Sequence, residues 1–138
     1  MIINRSIDIE DEIRQILTGK GITAYCRPLP DGFSMPSILA TATGGTQEET
    51  WSVGGKIDTF SIVLDSRAES DADAFEYLRT ALAVLKAEVS KQTTKIGNVS
   101  VNSMYSWGVD PVRPDISMCS ASIRCTAHLE TATIYDSI

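Results

Sequence analysis

Residues 56–89 read KIDTFSIVLDSRAESDADAFEYLRTALAVLKAEV, a strand that runs through an acidic turn straight into a two-faced helix. In its first part Phe60, Ile62 and Leu64 alternate with Thr59, Ser61 and Asp65, the period of two of a pleated ribbon. Ser70 is placed to cap a helix. Its hydroxyl can accept a first-turn N–H, while Asp71 and Asp73 set negative charge at the positive end of the helix dipole. Phe75, Leu78, Leu82, Leu85 and Val89 then follow at steps of three and four and form one apolar stripe. Burying those side chains is worth roughly 7–15 kcal/mol before chain entropy offsets most of it. The stripe therefore predicts a sheet for the helix to cover.

Toward the amino terminus, Ser6–Thr18 carries Ile9, Ile13, Ile16 and Leu17 at helical spacing, with acidic residues in the first turn and Gly19 at the end. A short strand is expected in the apolar run after Gly21, ending before Pro28 and Pro30, and a second from Ser37 to Thr43. Thr43–Gly55 is polar and glycine-rich and reads as a long turn or an extended hairpin tip. Toward the carboxyl terminus, Ile96, Val99 and Val101 suggest a strand ending near Tyr105. The segment SWGVDPVRPD (106–115), with Pro111 and Pro114, reads as irregular. From Cys119 to Leu129 every second residue is apolar or small and those between are polar, the mark of an antiparallel sheet with one wet face. Thr131–Ile138 reads as a tail.

The order helix, three strands, helix, two strands predicts a single α+β domain over residues 1–138: a five-stranded, mainly antiparallel sheet with both helices on one face. The opposite, polar face is left for another purpose. A length of 138 residues, 43% apolar and 22% charged, is ordinary for a globular chain. The amino terminus lacks the basic start and apolar run of a secretory signal, which points to the cytosol. With a formal charge of -6 and scattered basic residues, the chain has no broad phosphate-binding face. An acidic surface could still let DNA slide past without adhering. Cys119 and Cys125, on one strand, would lie about 20 Å apart and read, with Cys26, as reduced thiols.

Catalytic patterns are weak. His128 is the sole histidine and shares the polar strand face with Arg124 and Thr126, without a nucleophile or orienting carboxylate in a recognisable context. Neither a zinc site nor a calcium loop is spelled out, and the acidic run Asp65, Glu69, Asp71, Asp73 is better explained by compensation of the helix dipole. Gly54-Gly55-Lys56 imitates the end of a phosphate loop, but Thr50 and Ile57 break the pattern and a hairpin turn accounts for it. No cofactor is implied. Trp51 and Trp107 fall in connections, where a tryptophan either folds back as a lid or anchors an interface; Arg113, between two prolines, is a similar candidate.

The amino-terminal DIEDEIRQIL, the strand FSIVLDSRA leading into DADAFEYLRTALAVL, and the turn DPVRPD before a final alternating strand together resemble small tail proteins of long-tailed bacteriophages, in particular the tail terminator and the related minor capsid or tail-completion group. The resemblance covers most of the chain in element order. It implies a non-enzymatic virion protein, found in the host cytoplasm during assembly. Such proteins form rings, usually hexamers, that sit on the last ring of the tail-tube protein, stop its growth and face the head connector while DNA passes through the lumen. On this reading Trp51, Trp107 and Arg113 are protein-interface anchors, on the segments Thr43–Gly55 and Ser106–Asp115. Two alternatives remain: another neck or tube component of the same assembly, and a small-ligand-binding or enzymatic α+β domain whose polar sheet face floors a pocket.

Overall fold

A computed structural model describes the backbone of residues 2–5, 9–52, 55–94, 96–102 and 105–133, and the side chains of 9–43, 59–94, 96–102 and 105–126. The elements are β1 (Ile2–Arg5), α1 (Ile9–Thr18), β2 (Ala24–Cys26), β3 (Ser37–Ser52), β4 (Gly55–Ala68), α2 (Asp71–Ser90), β5 (Ile96–Val101), β6 (Ser106–Val109) and β7 (Ser117–Thr133).

The fold is α+β, and β7 is its spine. On one side β4 pairs with it continuously from Gly55↔Glu130 to Ala68↔Ser117. Along the other side three short strands lie end to end: β6 on residues 117–120, β5 on 123–127 and β1 on 130–133. Beyond β4 come β3 and then β2, and every pairing is antiparallel except that of β2 with β3. The five expected strands are present, and β1 and β6 bring the sheet to seven.

Several boundaries differ from the expectation. Ser106–Val109 is a strand, because Pro111 and Pro114 enter only in the turn that follows, and the four residues before them are free to pair with β7. Thr43–Gly55 is the extended hairpin: β3 and β4 remain paired out to Ser52↔Gly55, so the connection is residues 53–54, outside the described set. Thr131–Thr133 belongs to β7, because β1 supplies a partner strand. A four-residue strand such as β1 is too short to show a period of its own.

The core lies between the helices and one sheet face. Ile9, Ile13 and Leu17 of α1 and Ala74, Leu78, Ala81, Leu82, Leu85 and Val89 of α2 are buried in one cluster with Ile38, Ala40, Ile62, Leu64, Cys119, Ala121, Ile123 and Cys125. Those strand residues fall on one face because alternate side chains point the same way. The α2 stripe is as expected, except that Phe75 is only partly buried. Ser70 caps the helix, its Oγ accepting from Asp73 N at 3.2 Å. α1 ends through Ile22 N–H donating to Leu17 O, with Gly21 at φ 81°, a left-handed turn that glycine adopts without Cβ strain. Burial raises the Cys119 thiol and pushes that of Cys125 up to about 12, so both stay protonated as core residues.

The opposite face is not uniformly polar. Leu39 and Ile116 are buried there, outside the main cluster. Two carboxylates tie the periphery to the sheet. Ile38 N–H donates to Thr23 O, so the even-numbered residues that follow in β3 turn their N–H groups toward the β2 side. β2 ends opposite Ala40. The next such group, Ala42 N–H, donates instead to Glu10 Oε2 at 2.9 Å, and the same oxygen accepts from Arg27 Nε at 3.0 Å. Burial pushes the Glu10 carboxyl up, but the bonds from Arg27 and Ala42 outweigh it and the net shift is downward.

A carboxylate with a lowered folded pKa stabilises fully above its ordinary value, near 4.3, and loses that contribution as pH falls through the lower folded value. Glu10→Gln is accordingly expected to lose about 1–2 kcal/mol at pH 7. By urea denaturation the gap to the native protein should close below pH 4; a gap unchanged down to pH 2.5 would contradict the charge-based origin.

Candidate protein-interaction surface

All exposed large apolar side chains among the described residues fall within a dozen positions: Val101 (41% exposed), Tyr105 (37%), Trp107 (51%), Val109 (55%) and Val112 (86%). They follow β5 and β6 along one margin of the sheet and continue into the β6–β7 turn. Isolated exposed apolar residues are ordinary, whereas their restriction to one margin makes that margin the candidate contact surface.

Trp107 sits opposite Cys119, on the helix face of the sheet. Its indole stacks on the Phe75 ring of α2, with centroids 5.3 Å apart and planes at 9°, while Tyr105 meets the same ring edge-on at 4.9 Å and 63°. The Arg79 guanidinium lies 5.5 Å from that ring's centroid. Each aromatic pair contributes about 0.5–1.5 kcal/mol beyond area, and the exposed cation–π contact about 0.5–1. Phe75 therefore holds Trp107 in a fixed orientation while half of the indole remains open. The lid reading of this tryptophan describes one ring face, which closes over the helix, while the rest of the indole is exposed.

The turn that carries Arg113 is built on Asp110. Its Oδ1 accepts from Val112 N at 2.8 Å and Arg113 N at 2.9 Å, and Asp110 N donates to Ile116 O at 3.0 Å. Its Oδ2 accepts from Arg67 Nε at 2.8 Å, a bond that is 9% and 8% exposed on its two sides. The Arg67 hydrogen bond, opposed by burial and aided by the two turn N–H groups, lowers the Asp110 carboxyl below its usual range. Arg113 projects from this fixed backbone, with Nη2 3.6 Å from Asp115 Oδ2; both side chains are exposed, so the pair adds little stability. The Arg67–Asp110 keystone was not foreseen. Arg67 sits in an alternating strand at a position that looks solvent-facing, and only the distant turn covers it.

Of the three sequence-derived candidates, Trp107 and Arg113 share the β6–β7 hairpin, the first in β6 against Phe75 and the second in the turn over Arg67. Trp51 lies in β3 opposite Lys56, near the β3–β4 tip, and its side chain is outside the described residues, as is that of His128. The two candidate segments occupy opposite ends of the sheet. The β3–β4 tip lies beside Glu130 at one end of β7, while the turn after β6 leads into Ser117 at the other. Seventeen residues of β7 span on the order of 50 Å.

Cavities lie mostly away from this margin. One of about 450 Å³ opens between Met35, Pro36 and the acidic start of α2 at Asp73 and Glu76; another of about 270 Å³ separates Leu29 and Phe33 from Arg67 and Val112. A depression of about 200 Å³ on the polar sheet face is lined by Val63, Ser106, Ala121 and the hydroxyls of Ser120 and Ser122. Asp65, in the acidic run, accepts a hydrogen bond from Ser120. Among the described residues no three His, Cys, Asp or Glu side chains are grouped to hold a metal ion, and no helix is long and apolar enough to cross a membrane. No family model matches the chain, and no curated protein is similar to it at a significant level.

Proposed function

We propose that this chain is a ring-forming structural subunit of the tail of a long-tailed bacteriophage, which caps the tail tube and joins it to the head connector. The observation that carries this reading is the placement of the two contact segments at opposite ends of a sheet about 50 Å long. A piece that joins two different partners along an axis needs two such ends and a separate lateral surface for its own copies. The exposed apolar margin of β5 and β6 supplies the third requirement. The net charge of -6 suits a ring through which DNA slides without adhering. Six copies are the number that the resemblance to tail terminators implies, closed through heterologous contacts.

The test is assembly with the tail-tube protein and head connector of the phage that carries this chain, followed by electron microscopy. The native protein should form rings that stop tube growth. Trp51→Ala and Arg113→Ala should each still form rings but lose one of the two joints: the first leaves tubes that overgrow or lack heads, the second the complementary defect. A central aromatic or arginine anchor is worth about 2 kcal/mol or more, or roughly thirty-fold in affinity. Native tube length and head attachment in both variants would reject the assignment of the ends.

A further inference from the structure

The lateral margin has a more specific reading, which rests on the proposed ring. Asn102 N–H donates to Ser122 O, and Asp110 N–H donates to Ile116 O. In an antiparallel ladder the residues that bond across alternate with those that do not. Asn98, Ser100 and Asn102, and likewise Ser106, Gly108 and Asp110, therefore bond toward β7. Val99, Val101, Trp107 and Val109 turn their N–H and C=O groups away from it, to the open side of the sheet. The same residues carry much of the exposed apolar surface. A row of main-chain groups with no partner strand among the described residues, beside exposed Val and Trp side chains, is complementary to one kind of partner, an added β-strand.

The opposite margin of the sheet holds a strand of matching character. β2 covers β3 only from Ile38 to Ala40, and Glu10 closes the next position at Ala42. From Gly44 to Ser52, β3 has β4 on one side and no described strand on the other. The directions also agree. β3 runs parallel to β7, because both are antiparallel to β4, while β5 and β6 run antiparallel to β7. The levels agree too: Gly44–Gln47 lie opposite Ser61–Asp58 of β4, which lie opposite Arg124–Ala127, the stretch of β7 that β5 covers. Copies set side by side at one level thus bring this part of β3 against β5 of the next as an antiparallel pair, the more stable pairing.

We propose that the outer edge of β5 is a strand-addition site occupied by residues 44–47 of β3 from a second copy of this chain, which leaves the Trp51 end of the hairpin free for the tube joint. The contact is heterologous, so it leaves one donor and one acceptor edge open on every partial assembly and is satisfied fully only on closure.

Amide hydrogen exchange tests this without altering the chain. The N–H groups of Val99 and Val101 should exchange at least a hundred-fold more slowly in the ring than in dilute monomer, whereas that of Ser100 should be protected in both. Equal exchange of these two outward amides in ring and monomer would overturn the strand joint. A second arm uses Val101→Pro, which removes an outward N–H group that β7 does not use, at an edge position where proline is tolerated. That variant should keep its far-UV circular dichroism and cooperative unfolding but sediment as a monomer at concentrations ten-fold above those that assemble the native protein. If it forms native rings, the strand joint is wrong while the ring reading stands. If the native protein never exceeds a monomer, alone or on tubes, the ring reading itself fails; a closed two-fold dimer through β5 would likewise exclude β3 as the occupant.

Discussion

Replacing Asp110 with alanine is expected to cost about 3–5 kcal/mol of folding stability, the penalty for leaving a buried charge without its partner. Arg67 is held at Nε by Asp110 Oδ2, and its Nη1 already has no hydrogen-bond partner. Without the carboxylate the guanidinium would lie under the turn uncompensated, and Val112 N and Arg113 N would lose their acceptor as well. Asp110→Asn keeps an acceptor for the turn but sets an amide donor or a neutral oxygen against Nε, so a smaller loss of about 1.5–3 kcal/mol is expected. Arg67→Met combined with Asp110→Ala removes both charges and should recover most of the single-variant loss, short of the turn hydrogen bonds at about 1 kcal/mol each. Urea denaturation of the native protein, the single variants Asp110→Ala and Arg67→Met, and the double variant forms the cycle. A double variant no more stable than Asp110→Ala would show that the unpaired charge is not the cause.

The same pair sets a pH dependence. The folded Asp110 pKa lies below the ordinary aspartate value of about 3.9. Its contribution is complete above that value and is lost as pH falls through the lower folded one. Below pH 4 the native protein should therefore lose stability more steeply than the variant lacking both charges. Glu10, lowered in the same direction, adds to this acid limb. Both carboxylates fasten loops or helix ends to sheet positions where strands stop, so acid should loosen the periphery before the core.

How far these features could be read from residues alone follows from the range of the forces involved. Phe60, Ile62 and Leu64, the alternation from Cys119 to Cys125, and the Leu78–Leu85 stripe are periodic over many residues, so a local pattern was enough to place them on one buried face. β6 was hidden by its neighbours: Pro111 and Pro114 govern the turn, and reading them across the whole segment obscured the four residues that pair with β7. Glu10 looks like any first-turn acid that complements a helix dipole, yet it is buried because β2 ends two residues before Ala42 needs an acceptor. Arg67 and Asp110 are 43 positions apart, and nothing local to either specifies the other. Trp107 was legible as an anomaly, a large aromatic outside any period, but its stacking on Phe75 depended on where β6 docks against α2.

Leu85→Ala should lower stability by about 3–5 kcal/mol, and the choice of site separates packing from every other contribution. Leu85 is fully buried in α2, seven residues after the equally buried Leu78, so both lie on the face that covers the sheet. Alanine is the best helix former, hence the substitution leaves the helix itself undisturbed and the measured loss is transfer energy plus the unfilled cavity. Val84, partly buried on the adjacent face, provides the internal comparison, with about 1 kcal/mol expected for Val84→Ala. For a chain of this length the Leu85 variant should melt roughly 8–15 °C lower. Its urea midpoint should fall with an unchanged slope, because the surface exposed on unfolding is nearly the same. A loss under 1 kcal/mol would mean that α2 does not close over β4 and β7, and the outward presentation of Trp107, which depends on Phe75 of that helix, would fail with it.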